Sequence, residues 1–115
     1  MRTTLFCLWV LSLGGCTYAI QDIPTVPAQP TYHQDVQPFL ADHCVLCHGS
    51  PPDRGAPSNF RLDVYGGANS TPPGAADMAN SILHDLQVGR MPPGGGVGAN
   101  AMQMMQNWVN DGTLP

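Results

Sequence analysis

The sequence predicts a small all-α fold. Apolar residues recur at helical spacing in three segments, roughly residues 35–48, 76–88 and 100–110, with no convincing run of strands between them. Gly89 and Gly112 follow the second and third segments where helix C-caps belong. Once an export signal is set aside, about 100 residues remain, the length of one small domain. A domain of that size buries a modest core and is marginal unless something staples it.

The N-terminal residues carry the export signal. Arg2 supplies a positive charge, residues 5–13 form an almost unbroken apolar run, and Gly14-Gly15-Cys16 follows. That order is the order of a secretory signal. The run is too short to cross a bilayer, which takes about 20 residues. Leu13-Gly14-Gly15-Cys16 also resembles a bacterial lipobox, which would make residues 1–15 a lipoprotein signal peptide and Cys16 an acylated first residue. Residues 16–31 then read as a lipidated start and a tether. Pro24, Pro27 and Pro30 recur every third residue and favour extended chain. The folded domain is expected over residues 32–115.

The first helix is predicted to begin at Asp35 as N-cap, with Pro38 in the first turn, where a missing N–H is tolerated. Val36, Phe39, Leu40, Cys44 and Cys47 then share one face, and Gly49 turns the chain out of the helix. Residues 49–75 are rich in Pro and Gly and read as a long loop wrapping a site, with Leu62 and Tyr65 inward. The second helix is expected over residues 76–88, with Asp77 in its first turn and Met78, Ile82 and Leu86 as its apolar stripe. The third runs from an Asn100 N-cap to about Asn110. It buries Met104 or Met105, Trp108 and Val109, with Trp108 expected near Leu40.

The chemistry concentrates in Cys44-Val45-Leu46-Cys47-His48. Of four cysteines, Cys7 leaves with the signal and Cys16 is assigned to the lipid, so only this pair remains for the domain. Three readings fit a close Cys pair followed by His. A structural zinc site takes four protein ligands; here it would have to recruit His33, His43 and His48 at an unusual spacing. A redox dithiol expects a βαβ context that is missing. Covalent haem attachment uses C-x-x-C-H as written, with His48 on the iron, and is the favoured reading. A sixth ligand follows from Gly89-Arg90-Met91-Pro92-Pro93. Pro92 and Pro93 stiffen the chain just past a helix, so Met91 can present its sulfur there. Met78, Met102, Met104 and Met105 lie on helices and read as core; His84 is the main alternative ligand.

Together these motifs resemble a monohaem c-type cytochrome domain of the class I kind, as found in small bacterial domains. The matching residues are Val36-Gln37-Pro38-Phe39-Leu40 ahead of Cys44, then Arg90-Met91-Pro92-Pro93, then Trp108-Val109-Asn110-Asp111-Gly112. The resemblance spans residues 32–113. It implies one haem c on Cys44 and Cys47, His48 and Met91 as axial ligands, crossed first and last helices, and electron transfer with no catalysis at the metal. Leu40 stands where mitochondrial-like members carry an aromatic residue, which departs from their helix crossing. A haem sensor from which Met91 dissociates to admit a small ligand is the alternative function.

Charge narrows the partners. The chain has eight Asp, four Arg, no Glu and no Lys. Without Arg2 that leaves three Arg against eight Asp, a formal charge near −5. Nucleic acid is excluded by the lack of a basic face, whereas a redox protein with a basic docking face fits. The expected location is the periplasmic side of a bacterial membrane, reached through the lipid on Cys16. Thr17 in place of an aspartate leans toward the outer membrane.

Overall fold

The computed structural model describes residues 21–68, 70–93 and 95–115. The expected signal peptide (residues 1–15) and the expected lipidation site Cys16 lie outside them. The described residues form helices and loops, with a single isolated parallel bridge between Gln21 and Val97. The helices are α1 (Gln37–His43), α2 (Val45–His48), α3 (Ala79–Gln87) and α4 (Ala99–Asn110), and a π-helical turn, Tyr32–Val36, leads into α1. The all-α expectation holds at this level.

The first helical stretch starts earlier than Asp35. Thr31 is the cap: its hydroxyl accepts from the Gln34 N–H at 3.4 Å, and Asp35 reaches back to accept from the Thr31 N–H at 2.9 Å. This is the reciprocal logic of a capping box, with Asp35 inside the first turn. The earlier start brings Tyr32 into the core, buried beside Trp108 with ring centroids 6.2 Å apart. Trp108 therefore has Tyr32 as its aromatic neighbour, in the same core cluster as Leu40.

Helix α4 packs on the Tyr32–Val36 turn and on α3. Ala101, Met104, Met105 and Trp108 are its buried face, in one core cluster with Val36, Leu40, Ile82 and Leu86. Its C-terminus closes as a Schellman motif: Thr113 N–H donates to Trp108 O at 2.8 Å and Gly112 N–H to Val109 O at 3.2 Å. The tail then folds back. Leu114 O accepts from the Tyr32 N–H at 2.8 Å and from the Trp108 indole N–H at 2.9 Å, and Thr113 O accepts from the Tyr65 hydroxyl at 2.7 Å.

Helix α3 begins at Ala79 because Asp77 is engaged elsewhere. Its carboxylate accepts from the Ser70 hydroxyl at 2.6 Å and from the N–H groups of Gly74 and Gly67 at 2.9 and 3.1 Å, tying the loop together ahead of the helix. The Ser70 hydrogen bond first, then that from Gly74, holds its pKa below the ordinary carboxylate value. A lowered folded pKa gives stability that is present above the unfolded value, about 3.9, and is lost as pH falls through the folded one. Asp77→Asn is therefore expected to flatten the dependence of stability on pH below about 4. Denaturant melts at pH 3 and pH 6 check this; equal pH slopes in variant and parent would count against it.

The proline-rich segment, expected as an extended tether, bends at residues 24–25 and 28–29 between Gln21 and Pro30 and is docked on the fold. Pro30 is fully buried and Ile23 packs on the core. Asp22 Oδ1 accepts from the Ala101 N–H at 2.8 Å and so caps α4 from outside the helix. Asn100, expected as that cap, instead donates its side-chain amide to Ile23 O at 3.0 Å and Pro24 O at 3.3 Å. A non-helical segment leaves its backbone groups unpaired within itself, free for such partners.

Candidate functional site

The first helical stretch carries both cysteines on a single turn. Cys44 sits at the junction of α1 and α2, its N–H donating to Leu40 O at 2.8 Å. Its own carbonyl accepts from the N–H groups of Cys47 and His48 at 3.1 and 2.9 Å. The chain then leaves through Gly49, where a Cβ would stand 2.7 Å from Val45 O, closer than real side chains come. Two loop hydrogen bonds lock this turn: Asp53 N–H to Cys47 O at 3.0 Å and Leu62 N–H to His48 O at 2.9 Å.

His48 is buried, at 8% exposure, with the edge of its ring toward Phe60 at 5.1 Å between centroids. Burial lowers its pKa, which favours the neutral imidazole, the form that offers a lone pair to a metal. Its Nδ1 is buried with no hydrogen-bond partner among the described residues. Burial and the neighbouring Cys47 push the Cys44 thiol up to about 11. Reactive dithiols work the other way, with thiolates stabilised near or below neutral pH.

Met91 comes from a different element, the turn that follows α3. Helix α3 ends in a second Schellman motif, with Gly89 N–H donating to Leu86 O at 3.2 Å and Arg90 N–H to Asp85 O at 2.9 Å. Gly89 takes a φ of +72°, a left-handed conformation that favours glycine. The Met91 N–H also reaches Asp85 O, at 3.2 Å, so the residue is fastened to the helix end and does not dangle from a loose loop.

All four residues line one cavity of about 610 Å³. Its walls include Phe60 and Leu62 from the long loop, Ile82 and Leu86 from α3, and Pro92 and Pro93. The size lies within the usual range of ligand pockets, about 300–1,000 Å³. No family model, curated protein or solved structure matches the chain. The site must be read from its own residues.

The cavity separates the methionines: Met91 lines it, while Met104 and Met105 are buried in α4, and neither Met78 nor Met102 is among its lining residues. His84 is exposed on α3 and does not line it either. His43 does, beside Cys44. No group of three or more His, Cys, Asp or Glu is placed to hold a metal ion among the described residues. Leu62 points inward as expected. Tyr65 does not line the cavity: it packs on Tyr32, with centroids 5.3 Å apart, and bonds the C-terminal tail. One lining residue has no signal in the motifs at all. Gln21, in the segment read as tether, reaches the cavity wall.

The lining fits a haem. It offers two thiols on one turn for covalent attachment, a neutral imidazole next to them, a thioether from another element, and apolar walls for a large flat body. The unpartnered His48 Nδ1 marks an imidazole whose hydrogen bonding within the chain is incomplete.

Proposed function

We propose that the chain is a membrane-tethered monohaem c-type cytochrome that transfers electrons and catalyses no reaction of its own. The observation that carries the reading is the convergence of Cys44, Cys47, His48 and Met91 on one largely apolar cavity. Cys44 and Cys47 would hold the haem through thioethers, and His48 and Met91 would be the axial ligands. The fold would be of the class I kind. When bound, the haem supplies reversible one-electron chemistry at iron.

The chain's residues set the conditions for that chemistry. His48, kept neutral by burial, is ready to ligate. A thioether ligand raises the potential relative to a second histidine. Phe60, Leu62, Ile82 and Leu86 give the cavity apolar walls, and burial is itself a lever on potential. With His48 and Met91 both holding the iron, no position there would be left for substrate.

The test is a pyridine haemochrome assay with intact mass on protein made alongside a cytochrome c maturation system. The expected result is one covalent haem per chain, lost when Cys44→Ser and Cys47→Ser are combined. Colourless protein with stoichiometric zinc would sink the reading.

The lipid on Cys16 is part of the proposal. Two or more acyl chains give stable attachment where one is marginal. Cys16→Ser is expected to release soluble holoprotein or to leave an uncleaved precursor. Membrane fractionation and mass spectrometry check this; an unmodified, soluble mature chain in the parent would remove the anchor. The acidic balance of the mature chain suits a redox partner with a basic face.

A further inference from the structure

Two buried side-chain polar atoms lack a hydrogen-bond partner among the described residues: His48 Nδ1 and Gln21 Oε1. Both residues line the same cavity. His48 belongs to the attachment motif. Gln21 belongs to no motif, lies 23 positions before Cys44, and still arrives at the site.

It is delivered there by a pinned strap, residues 21–24. Gln21 bridges to Val97, and its carbonyl accepts from the Gly98 N–H at 2.7 Å. Asp22 caps α4 through the Ala101 N–H, and the Asn100 amide holds the carbonyls of Ile23 and Pro24. Every residue of the strap thus contributes a hydrogen bond to the start of α4 or the turn before it. A segment held this firmly that leaves one amide oxygen buried and unpaired is arranged for a partner not supplied by the chain, because buried polar groups in folded proteins are almost always paired.

We propose that Gln21 is a positioning residue whose side-chain amide hydrogen-bonds a propionate of the haem. The inference rests on the cytochrome reading above. Oxygen and nitrogen of a glutamine amide exchange places by a half-turn with almost no change of shape, so the same buried position offers an N–H donor to a carboxylate. The haem's two carboxylates are its main polar groups and lie across the ring from the edge that forms thioethers. Among the polar lining residues, Asp42 and His43 adjoin Cys44, at the thioether edge. Asp85 is an anion already paired with Arg90 at 2.9 Å. Arg54 is exposed. Gln21 is the half-buried neutral donor, and it comes from a different part of the fold.

The test uses full-length, ¹⁵N-labelled reduced holoprotein in detergent. The Gln21 side-chain NH₂ is expected to show slowed exchange with water and nuclear Overhauser contacts to the propionate methylene protons. Gln21→Leu is expected to lower the reduction potential, because an unpaired carboxylate leaves more negative charge near the iron. Gln21→Glu is expected to lower it further. Contacts only to the Met91 methyl, contacts to no haem proton, or parental potentials in both variants would overturn the proposal. A haemochrome assay on the same samples separates the failures: haem present without these effects sinks the role of Gln21 alone, and no haem sinks the cytochrome reading and this inference with it.

Discussion

Met91→Ala is expected to keep covalent haem and lose the sixth ligand. Cys44, Cys47 and His48 are untouched, so on the proposed reading attachment and ligation by His48 should remain. The ferric protein should lose the weak red absorption band of sulfur-ligated haem, the reduced protein should bind carbon monoxide, and the potential should fall, since the thioether favours reduced iron. Met91→His should restore a low-spin spectrum at a lower potential. The controls are set by the cavity. Met102, Met104 and Met105 belong to α4, and none of them lines it. Alanine at those positions should cost stability while leaving the band in place. Survival of the band in Met91→Ala, with its loss in one of those three, would move the ligand elsewhere and reduce residues 89–93 to a structural turn.

The largest expected effect on folding comes from Cys44→Ser combined with Cys47→Ser, which should yield no compact protein in cells. The helices are short: seven and four residues in α1 and α2, nine in α3 and twelve in α4. Isolated helices shorter than about 12–15 residues are marginal in water. What holds these together is burial, yet the apolar side chains of Phe60, Leu62, Ile82 and Leu86 border a cavity of about 610 Å³ in addition to packing on one another. Without a large apolar body in that space, the walls from the long loop and from α3 lose their common partner. Far-ultraviolet circular dichroism and thermal melting measure this. An apo-domain with full helix content and a cooperative transition would show that the α4 core, centred on Trp108 and Tyr32, suffices alone.

Much of the fold was legible because its signals are local. Helical spacing places Val36, Leu40, Ile82, Leu86 and Trp108, and all five are buried. Gly89 and Gly112 both end helices with positive φ. The convergence of Cys44, Cys47, His48 and Met91 was also readable, since an attachment motif and a stiffened methionine need a shared space to be of use. What sequence could not give was long-range. The start at Tyr32 depends on Asp35 bonding back to Thr31 when a forward cap from Asp35 looked equally good. Tyr65 left the cavity for Thr113 O, 48 positions away. The prolines of residues 24–30 signal a non-helical segment but say nothing of what it lies against. Asp22 meets Ala101 across 79 positions, a pairing no local pattern encodes.

The folded-back tail has a topological consequence. Tyr32 opens the first helical stretch and Leu114 is the penultimate residue, and a backbone hydrogen bond of 2.8 Å joins them. The chain therefore passes into the first helical stretch and out past α4 at neighbouring points, one hydrogen bond apart, while residues 21–30 dock outside that closure on α4 and the cavity wall. A piece cut to begin at Tyr32 would keep the closure but lose the Asp22 cap of α4. The same closure makes the tail a poor place for truncation. Removing Leu114 would strip acceptors from both Tyr32 and Trp108, two of the largest buried side chains in the core.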